Sequence, residues 1–265
     1  MDLQKLLAPT VEAAKEAGAF IRHERENFNQ GKVEHKGFND LVSYVDKESE
    51  KIIVKALRGI FPEAGFITEE QTVAQEDTTW KWIVDPLDGT TNFVHGIPSY
   101  AVSIGLAKDG VVMLGVVYEV GKDECFTAYR GGGAFCNGRP IQVSTVDELS
   151  RSLIATGFPY HLGDRLDAHF DLLKDLVKGS HGLRRIGSAA VDLCYVACGR
   201  AEAYFEYNLQ SYDISAGTLI VEEAGGNVSD FKGGRDFLFG GEVLGSNGKV
   251  HGLMLEKMAG LAAKK

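Results

Sequence analysis

The chain has 265 residues, of which 28 are basic and 37 acidic, so its formal net charge is −9. A composition of 44% hydrophobic and 25% charged residues is ordinary for a globular protein of a length that can bury a substantial core. The acidic excess argues against direct nucleic-acid binding, which needs basic patches. The sequence has neither a membrane-spanning apolar run nor a signal-peptide pattern at its amino terminus, so we expect a cytoplasmic protein without membrane attachment.

The first half of the chain is predicted to contain two helices followed by strands. Residues 3 to about 28 show the helical spacing of apolar side chains, and a second helix begins at Asp46 and stops before Pro62. Strand-like runs follow at residues 66–68, 80–84, 100–107, 111–120 and 124–129. The two longest runs are separated by Asp109-Gly110, a hairpin signal, which predicts an antiparallel pair.

The second half of the chain alternates between strands and helices. Strands are predicted at residues 153–156, 183–186 and 201–207, and helices at 164–177, 188–198 and 213–224. A separate terminal helix ends at about residue 263. This alternation indicates an α/β fold (α+β layered), with helices packed on sheets rather than one barrel. The chain has no linker or internal repeat. We therefore expect a single domain, 1–265, made of two packed halves, 1–145 and 146–265.

Two carboxylates, Asp85 and Asp88, stand at the end of a predicted strand rich in β-branched and aromatic residues. Pro86 fixes the backbone after Asp85, so we expect the chain to turn at once and to point both carboxylates into one pocket. Like charges so close resist joint ionisation unless a cation joins them. Hard oxygen ligands select magnesium or calcium.

The residues after Asp88 could form an anion site. Gly89, Thr90 and Thr91 offer backbone N–H groups, which favour a phosphate oxyanion if a helical turn begins there. The alternative is a polar turn in which Asp88 caps a helix, and the segment alone leaves the two interpretations open.

Two further acidic residues, Glu69 and Asp213, extend the candidate site. Glu69 ends a short strand, so it can lie near Asp85 if the two strands share a sheet; alone, it would be interpreted as part of a solvated Glu-Glu pair. Asp213 precedes a run of helical periodicity and could be a plain N-cap, a role that is compatible with metal ligation.

Four segments of the chain resemble the inositol monophosphatase family. Residues 82–93, WIVDPLDGTTNF, resemble its first signature, and residues 212–217, YDISAG, followed by EAGG at 223–226, resemble its second. The segment DLVS at 40–43, with Asp46 after it, and GFITEE at 65–70 are similar to two further elements of the family. The order and spacing of these motifs agree over almost the whole chain.

The resemblance implies an αβαβα sandwich of the sugar-phosphatase type and a homodimer. It implies that two or three Mg²⁺ ions are held by Glu69, Asp85, the carbonyl of Leu87, Asp88 and Asp213. It assigns Asp46 and Thr90 to positioning and deprotonating the attacking water. The residues that it implies for substrate binding are Asp88, Gly89 and Thr90 at the phosphate, and Ser188, Ala189 and Glu206 at the alcohol.

The implied reaction is Mg²⁺-dependent, lithium-sensitive hydrolysis of a small phosphate monoester by metal-activated water. Inositol 1-phosphate ranks first, because the Glu206 carboxylate can accept hydrogen bonds from a polyol. Related substrates stay open: fructose 1,6-bisphosphate, histidinol phosphate and a 3′-phosphorylated adenosine nucleotide. A different possibility is a non-catalytic role as a protein partner in RNA processing.

Two departures from the family pattern bear on the choice of alcohol. Tyr212 stands where the second signature usually has tryptophan, and the loop between Glu69 and Asp85 is short. Because tyrosine keeps an aromatic wall beside Asp213, we expect the metal site to be retained and only its packing to differ.

Overall fold

The computed structural model describes residues 2–28, 33–37, 40–76, 78–158 and 165–263. The side chains of 33–37 and 40–43 lie outside this description, and with them the side chains of the DLVS segment. Residue 164, where a helix was predicted to begin, also lies outside it. No helix of the described ranges is both long enough and apolar enough to cross a membrane.

The described residues form eight α-helices and fourteen strands. The helices are α1 (Leu3–Glu26), α2 (Tyr44–Ile60), α3 (Thr90–His95), α4 (Leu166–Gly179), α5 (Ala189–Ala197), α6 (Ser211–Glu223), α7 (Phe237–Gly240) and α8 (His251–Ala262). The strands are β1 (Val33–Gly37), β2 (Asp40–Ser43), β3 (Gly65–Thr68), β4 (Trp80–Asp88), β5 (Ala101–Lys108), β6 (Val111–Glu119), β7 (Glu124–Tyr129), β8 (Ala134–Cys136), β9 (Arg139–Pro140), β10 (Leu153–Thr156), β11 (Gly182–Arg184), β12 (Ala203–Tyr207), β13 (Asn227–Ser229) and β14 (Glu242–Ser246).

The strands form one large, one small and one two-stranded sheet. The large sheet has the order β3-β4-β5-β6-β7-β8-β9 and is antiparallel except for its first pair, β3 with β4. The small sheet has the order β11-β10-β12-β14-β13, with parallel pairing among its first three strands. Strands β1 and β2 pair separately.

Side-chain alternation along the strands divides the interior into three cores. Trp82 and Val84 of the large sheet face α1 and α2, whereas Ile83 between them faces α5 and α6. On the small sheet Tyr204 packs in that same middle core, and Phe205 packs against α4 and α8. The layers are therefore helix, sheet, helix, sheet, helix, which confirms the predicted αβαβα sandwich.

Among the predicted element boundaries that differ from the structure, three concern the candidate site. Strand β4 does not end at Asp85 but continues to Asp88, because the register shift between these two residues absorbs Pro86 as an irregularity in the ladder. Helix α2 begins at Tyr44, directly after β2, and not at Asp46. Helix α6 begins at Ser211, so Asp213 lies in its first turn and not at its N-cap, which is Gln210.

Helix α6 lies unusually close to the large sheet because glycines face it. A Cβ added at Gly115 in β6 would lie 2.8 Å from the carbonyl oxygen of Ala216 and 3.0 Å from its Cα. A Cβ at Gly105 in β5 would lie 2.6 Å from Ser215 Oγ. The depth at which α6, and with it Asp213, sits on the sheet is therefore set by residues that have no side chain.

We predict that Gly115→Ala lowers the free energy of unfolding by about 2 kcal/mol, because the new methyl group meets backbone atoms that cannot rotate away. The matched control is Gly59→Ala in α2, where nothing lies within 4 Å of an added Cβ. The control should be neutral or more stable by up to about 1 kcal/mol, the gain in helix propensity. Urea unfolding of the three proteins measures both effects, and equal stability of Gly115→Ala and wild type would contradict the close approach.

Candidate functional site

Glu69 and Asp85 are neighbours because β3 and β4 are parallel. Thr68 pairs with Val84, so the next residue of each strand emerges at the same edge of the sheet. The N–H of Glu69 donates to the carbonyl of Val84 at 3.2 Å, which continues the pairing past the end of β3. The carboxyl groups of Glu69 and Asp85 interact through a hydrogen bond and through charge. The predicted approach of these two residues is confirmed.

Asp85 and Asp88 lie on either side of the irregularity in β4. Asp85 pairs with Ser103 and Asp88 with Ala101 on β5. The Asp85 carboxylate accepts a hydrogen bond from the N–H of Leu87 at 3.0 Å, so the extra residues curl around the side chain. The predicted convergence of the two carboxylates is reached through a bulged strand and not through an immediate turn.

The Asp88 carboxylate lies against the N-terminus of α5. Its Oδ2 accepts hydrogen bonds from Ser188 Oγ at 2.6 Å and from the N–H of Ala190 at 2.7 Å. Ser188, which is 2% exposed, also caps α5 by accepting from the N–H of Val191. The Ser188 hydroxyl predicted to face the alcohol therefore binds Asp88 in this structure, and the adjacent Ala189 is buried beside it.

Thr90, Asp46 and the Leu87 carbonyl form a compact group. Thr90 Oγ1 lies 2.8 Å from Asp46 Oδ1 and 3.0 Å from the carbonyl oxygen of Leu87. Asp46 is fully buried in α2, so its carboxylate is fixed. Gly89, with φ of 92°, caps α3 and makes the left-handed turn that brings Thr90 to this place. The two predicted catalytic residues are thus in hydrogen-bond contact.

Asp213 enters the site from α6. Its Oδ2 accepts a hydrogen bond from the N–H of Gln210 at 2.6 Å, which fixes the first turn of the helix. The preceding residue, Tyr212, packs on the middle core, and its carbonyl accepts from Ser103 Oγ at 3.4 Å on β5. The aromatic side chain of Tyr212 thus packs in the middle core directly before Asp213.

These carboxylates lie in one electrostatic environment. Burial, followed by the charges of Glu69, Asp88 and Asp213, raises the pKa of Asp85 well above its ordinary value. Burial and the charge of Asp88 likewise raise the pKa of Asp213. Burial raises the pKa of Asp88 to about 6, against the opposing hydrogen bonds from Ser188 and α5. Acidic groups from three chain segments, the end of β3, strand β4 and helix α6, therefore disfavour the ionisation of Asp85.

The donor set suits a hard divalent cation. All candidate ligands are oxygens, and a cation between them removes the repulsion that raises their pKa values. Across the ranges that the structure covers, no three acidic, histidine or cysteine side chains are arranged so that together they could hold a metal ion. Oxygens of Asp85, Asp88 and Asp213 are each held by a protein donor in this arrangement.

Sequence reasoning missed Glu50, a fully buried carboxylate on α2. It accepts hydrogen bonds from Thr68 Oγ1 at 3.0 Å, from the N–H of Glu70 at 2.7 Å, and from the N–H and Oγ1 of Thr72, both at 2.7 Å. These donors flank Glu69, so Glu50 fixes the segment that carries it. The feature of the sequence that could have indicated Glu50 is its spacing of four residues from Asp46, which places two acidic residues on the same face of a helix.

Glu206 belongs to β12 of the small sheet and lies at the other side of the site. Its carboxylate accepts a hydrogen bond from the hydroxyl of Tyr204 at 2.6 Å. Burial raises the pKa of Glu206 to about 7; the Tyr204 hydrogen bond and the charge of Arg185 oppose this shift, and the charge of Asp88 adds to it. The predicted alcohol-binding residue is therefore within electrostatic reach of the predicted metal ligands.

We predict that the metal-free protein loses stability as the pH rises from about 4 to about 7. Asp88 has a pKa of 3.8 in its ordinary state and of about 6 in the fold, so the folded chain binds that proton more tightly. The protonated Asp88 carboxyl group therefore contributes to the free energy of unfolding in full below pH 3.8, and this contribution is lost as the pH rises through about 6. Asp85 and Asp213 act in the same direction.

Chelator-treated protein, unfolded in urea across this pH range, provides the measurement. The control is the double variant Asp85→Asn, Asp213→Asn, which should lose less stability over the same range because two of the carboxyl groups with raised pKa values are absent. Mg²⁺ should stabilise wild type more at about pH 7.5 than at about pH 5. A wild-type profile parallel to that of the double variant would contradict the electrostatic account.

We predict that Glu50→Gln lowers the free energy of unfolding by about 2 to 3 kcal/mol, because the new amide NH₂ would face backbone N–H donors and leave them unpaired. Glu48→Gln is the matched control, since Glu48 is on the same helix but exposed, in a surface pair with Lys51. The control should change stability by less than about 0.5 kcal/mol. Thermal and urea unfolding test both variants, and a Glu50→Gln protein as stable as the control would refute this role.

The family comparison covers almost the whole chain. A model of the inositol monophosphatase family matches residues 2–263. The chain is 43% identical to an inositol-1-monophosphatase of Mesorhizobium japonicum over 253 residues, 95% of each protein. It is 42% identical to the putative Nus factor SuhB of Neisseria meningitidis serogroup B over 255 residues, 96% of this chain and 98% of that protein.

A solved structure agrees with the same assignment. The native crystal structure of the extragenic suppressor protein suhB from Bartonella henselae superposes with a TM-score of 0.87 and 40% identity, over 97% of this chain and 98% of that one. The sequence motifs, the αβαβα layering and the grouping of Glu69, Asp85, Asp88 and Asp213 are thus accompanied by likeness over the full length. The chain belongs to the inositol monophosphatase family.

Proposed function

We propose that the protein is a magnesium-dependent phosphatase that hydrolyses a small phosphate monoester, with inositol 1-phosphate as the substrate of first choice. The observation that carries the proposal is that Asp85 interacts through charge with three further carboxylates, Glu69, Asp88 and Asp213, while Thr90, two residues after Asp88, contacts Asp46. A purely structural arrangement gains nothing from holding so many repelling carboxylates together.

The proposed ligands of two or three Mg²⁺ ions are Glu69, Asp85, the Leu87 carbonyl, Asp88 and Asp213. When bound, Mg²⁺ lowers the pKa of a water molecule and neutralises charge on the phosphate and on the leaving oxygen. Without a cation the same carboxylates would repel a phosphate dianion, so we expect activity to depend fully on the metal. Lithium is proposed to inhibit by competing at a weakly held metal position.

Thr90 and Asp46 are proposed to orient the attacking water and to take its proton. The Thr90 hydroxyl lies between Asp46 Oδ1 and the Leu87 carbonyl, so it can accept a hydrogen bond from water while donating its own hydrogen to one of them. Asp46 then receives the proton through Thr90. This relay places the general base on α2 rather than among the proposed metal ligands.

Substrate binding is proposed to involve both ends of the ester. The backbone N–H groups of Gly89 and Thr90, beside the carboxylate of Asp88, are proposed to contact the phosphate. Ser188, Ala189 and Glu206 are proposed to face the alcohol. A polyol fits the raised pKa of Glu206, since either protonation state of that carboxyl group can hydrogen-bond to hydroxyls.

Asp88→Asn should reduce kcat with inositol 1-phosphate and Mg²⁺ to below about a tenth of the wild-type value, because it removes a charge from the proposed cation site. It should fold normally, since the amide keeps the volume of the side chain and its oxygen can still accept from Ser188 and α5. The control is Asp123→Asn on an exposed turn, which should retain wild-type activity. Phosphate release at saturating Mg²⁺ measures the effect.

A panel of substrates separates the alternatives. Inositol 1-phosphate, fructose 1,6-bisphosphate, histidinol phosphate and 3′-phosphoadenosine 5′-phosphate are compared by kcat/KM, with Asp88→Asn as the blank. A preference for one of the last three would replace inositol 1-phosphate as substrate and keep the phosphatase proposal. Equal phosphate release by wild type and Asp88→Asn on all four would contradict the proposed site.

A second candidate function is partnership with proteins of transcription or RNA processing, which is favoured by the name Nus factor SuhB that relatives carry. The negative net charge disfavours direct RNA contact but allows a protein partner. Affinity purification from a bacterial lysate with wild type and Asp88→Asn tests it: recovery of transcription proteins by both would support a role that does not need catalysis.

We also propose that the chain is one cytoplasmic domain, in two halves meeting near residue 145, and forms a homodimer.

A further inference from the structure

The carboxylate of Glu206 is held in one orientation by two neighbours on the small sheet. The fully buried Tyr204 donates its hydroxyl hydrogen to Glu206 Oε2 at 2.6 Å. Gly157 directly follows β10, and because Thr156 pairs with Phe205, it stands beside Glu206. A Cβ at position 157 would lie 1.9 Å from Oε2 and 2.2 Å from Oε1, so the carboxylate lies flat on the glycine backbone.

This arrangement leaves one oxygen of Glu206 for a ligand. Oε2 is occupied by Tyr204, and in the described part of the chain Tyr204 is the hydrogen-bond donor to this carboxylate. The contact with Gly157 limits the rotation that would otherwise exchange the two oxygens. Oε1 is thus a hydrogen-bond acceptor with a fixed position, on the same side of the protein as Asp88, whose charge acts on Glu206.

We propose that Tyr204 and Gly157 are positioning residues that set the substrate preference of the site, by fixing Glu206 Oε1 as the acceptor for a hydroxyl group of the alcohol. The inference rests on the proposed phosphatase function. It predicts selectivity for esters whose alcohol carries further hydroxyl groups over aryl phosphates, which offer Glu206 no donor.

The physical reason is the entropy that the Glu206 side chain loses when a bound ligand orders it. A glutamate that rotates freely loses side-chain entropy when it binds a hydroxyl, whereas a clamped one has lost that freedom on folding. The Tyr204 hydrogen bond also compensates part of the desolvation of the carboxylate before substrate arrives. Removing the tyrosine hydroxyl should therefore weaken binding of a polyol ester more than that of an aryl ester.

The test compares two substrates, myo-inositol 1-phosphate and p-nitrophenyl phosphate, under saturating Mg²⁺. In Tyr204→Phe the ratio of kcat/KM for the first to that for the second should fall about tenfold, chiefly through a higher KM for the inositol ester. Gly157→Ala should shift the ratio in the same direction by a steric route, since its methyl group displaces the Glu206 carboxylate.

The control is Tyr207→Phe, another buried tyrosine of β12, whose hydroxyl has no hydrogen-bond partner within the described ranges. Its ratio should equal that of wild type. In a Glu206→Gln background, Tyr204→Phe should lower the ratio by no more than about twofold, because the residue it acts through has already changed.

Three outcomes would overturn the inference, and they are distinguishable. If wild type hydrolyses both esters but the ratio is the same in wild type, Tyr204→Phe and Gly157→Ala, the positioning role of Tyr204 and Gly157 is refuted and the proposed phosphatase function stands. If the effect of Tyr204→Phe persists in full in the Glu206→Gln background, the tyrosine does not act through Glu206 and its positioning role is likewise refuted. Absence of metal-dependent hydrolysis of every ester tried would overturn the proposed function itself, and the inference with it.

Discussion

Ionised carboxylates are expensive to bury, and much of the fold around the candidate site supplies the hydrogen bonds that make their burial possible. Asp85 is held by the N–H of Leu87, Asp88 by the N-terminus of α5, and Asp213 by the N–H of Gln210. Glu50, one layer further out, receives four hydrogen bonds from the segment around Glu69. The donors are mostly backbone groups, so the positions of the acids are as fixed as the secondary structure itself. The remaining repulsion among them makes a cation-binding site energetically favourable.

The order of layers has a chemical consequence, because the WIVDPLDGTTNF segment contacts both halves of the chain. Asp88 binds α5 through Ser188 and Ala190. Four residues later, the buried Asn92 donates through Nδ2 to the carbonyls of Ser99 at 2.7 Å and Ile186 at 2.8 Å. The start of α5 and the residue Ile186 before it are therefore held by two points of this segment, Asp88 on β4 and Asn92 on α3, and the proposed phosphate and alcohol ends of the site keep one relative position.

Much of this site could be predicted from sequence because it depends on strand ends. In the sequence Glu69 and Asp85 both follow short apolar runs, and the parallel pairing of these runs alone brings the two residues together. The course of the chain between Asp85 and Asp88 could not be predicted in this way. Pro86 normally ends a ladder, but the shift of register let β4 continue past it, and that depends on the partner strand β5.

Glu50 escaped sequence reasoning for a similar reason. In a helix sequence an acid four residues from another acid reads as a solvated face, and only the tertiary packing of α2 against the segment after β3 buries it. The close approach of α6 was equally hidden, because Gly105 and Gly115 inside strand-like runs indicate either a bulge or a close neighbour, and sequence does not say which.

The two sheets contribute to different aspects of the proposed reaction, and this separation has a consequence for specificity. The large sheet carries Glu69, Asp85 and Asp88, whereas Glu206 belongs to β12 of the small sheet. The position of β12 relative to β10 is set by the parallel pairing and by Thr156 Oγ1, which donates to the carbonyl of Phe205 at 2.9 Å. Gly157 and Tyr204 act on Glu206 within this sheet and touch none of the proposed metal ligands in the contacts described here. Under the proposed function, a substitution in β12 would therefore change which alcohol is accepted while the arrangement of carboxylates on β3 and β4 stays intact. In the proposed phosphatase, the acidic residues would therefore carry out the hydrolysis and a neighbouring strand would select the alcohol.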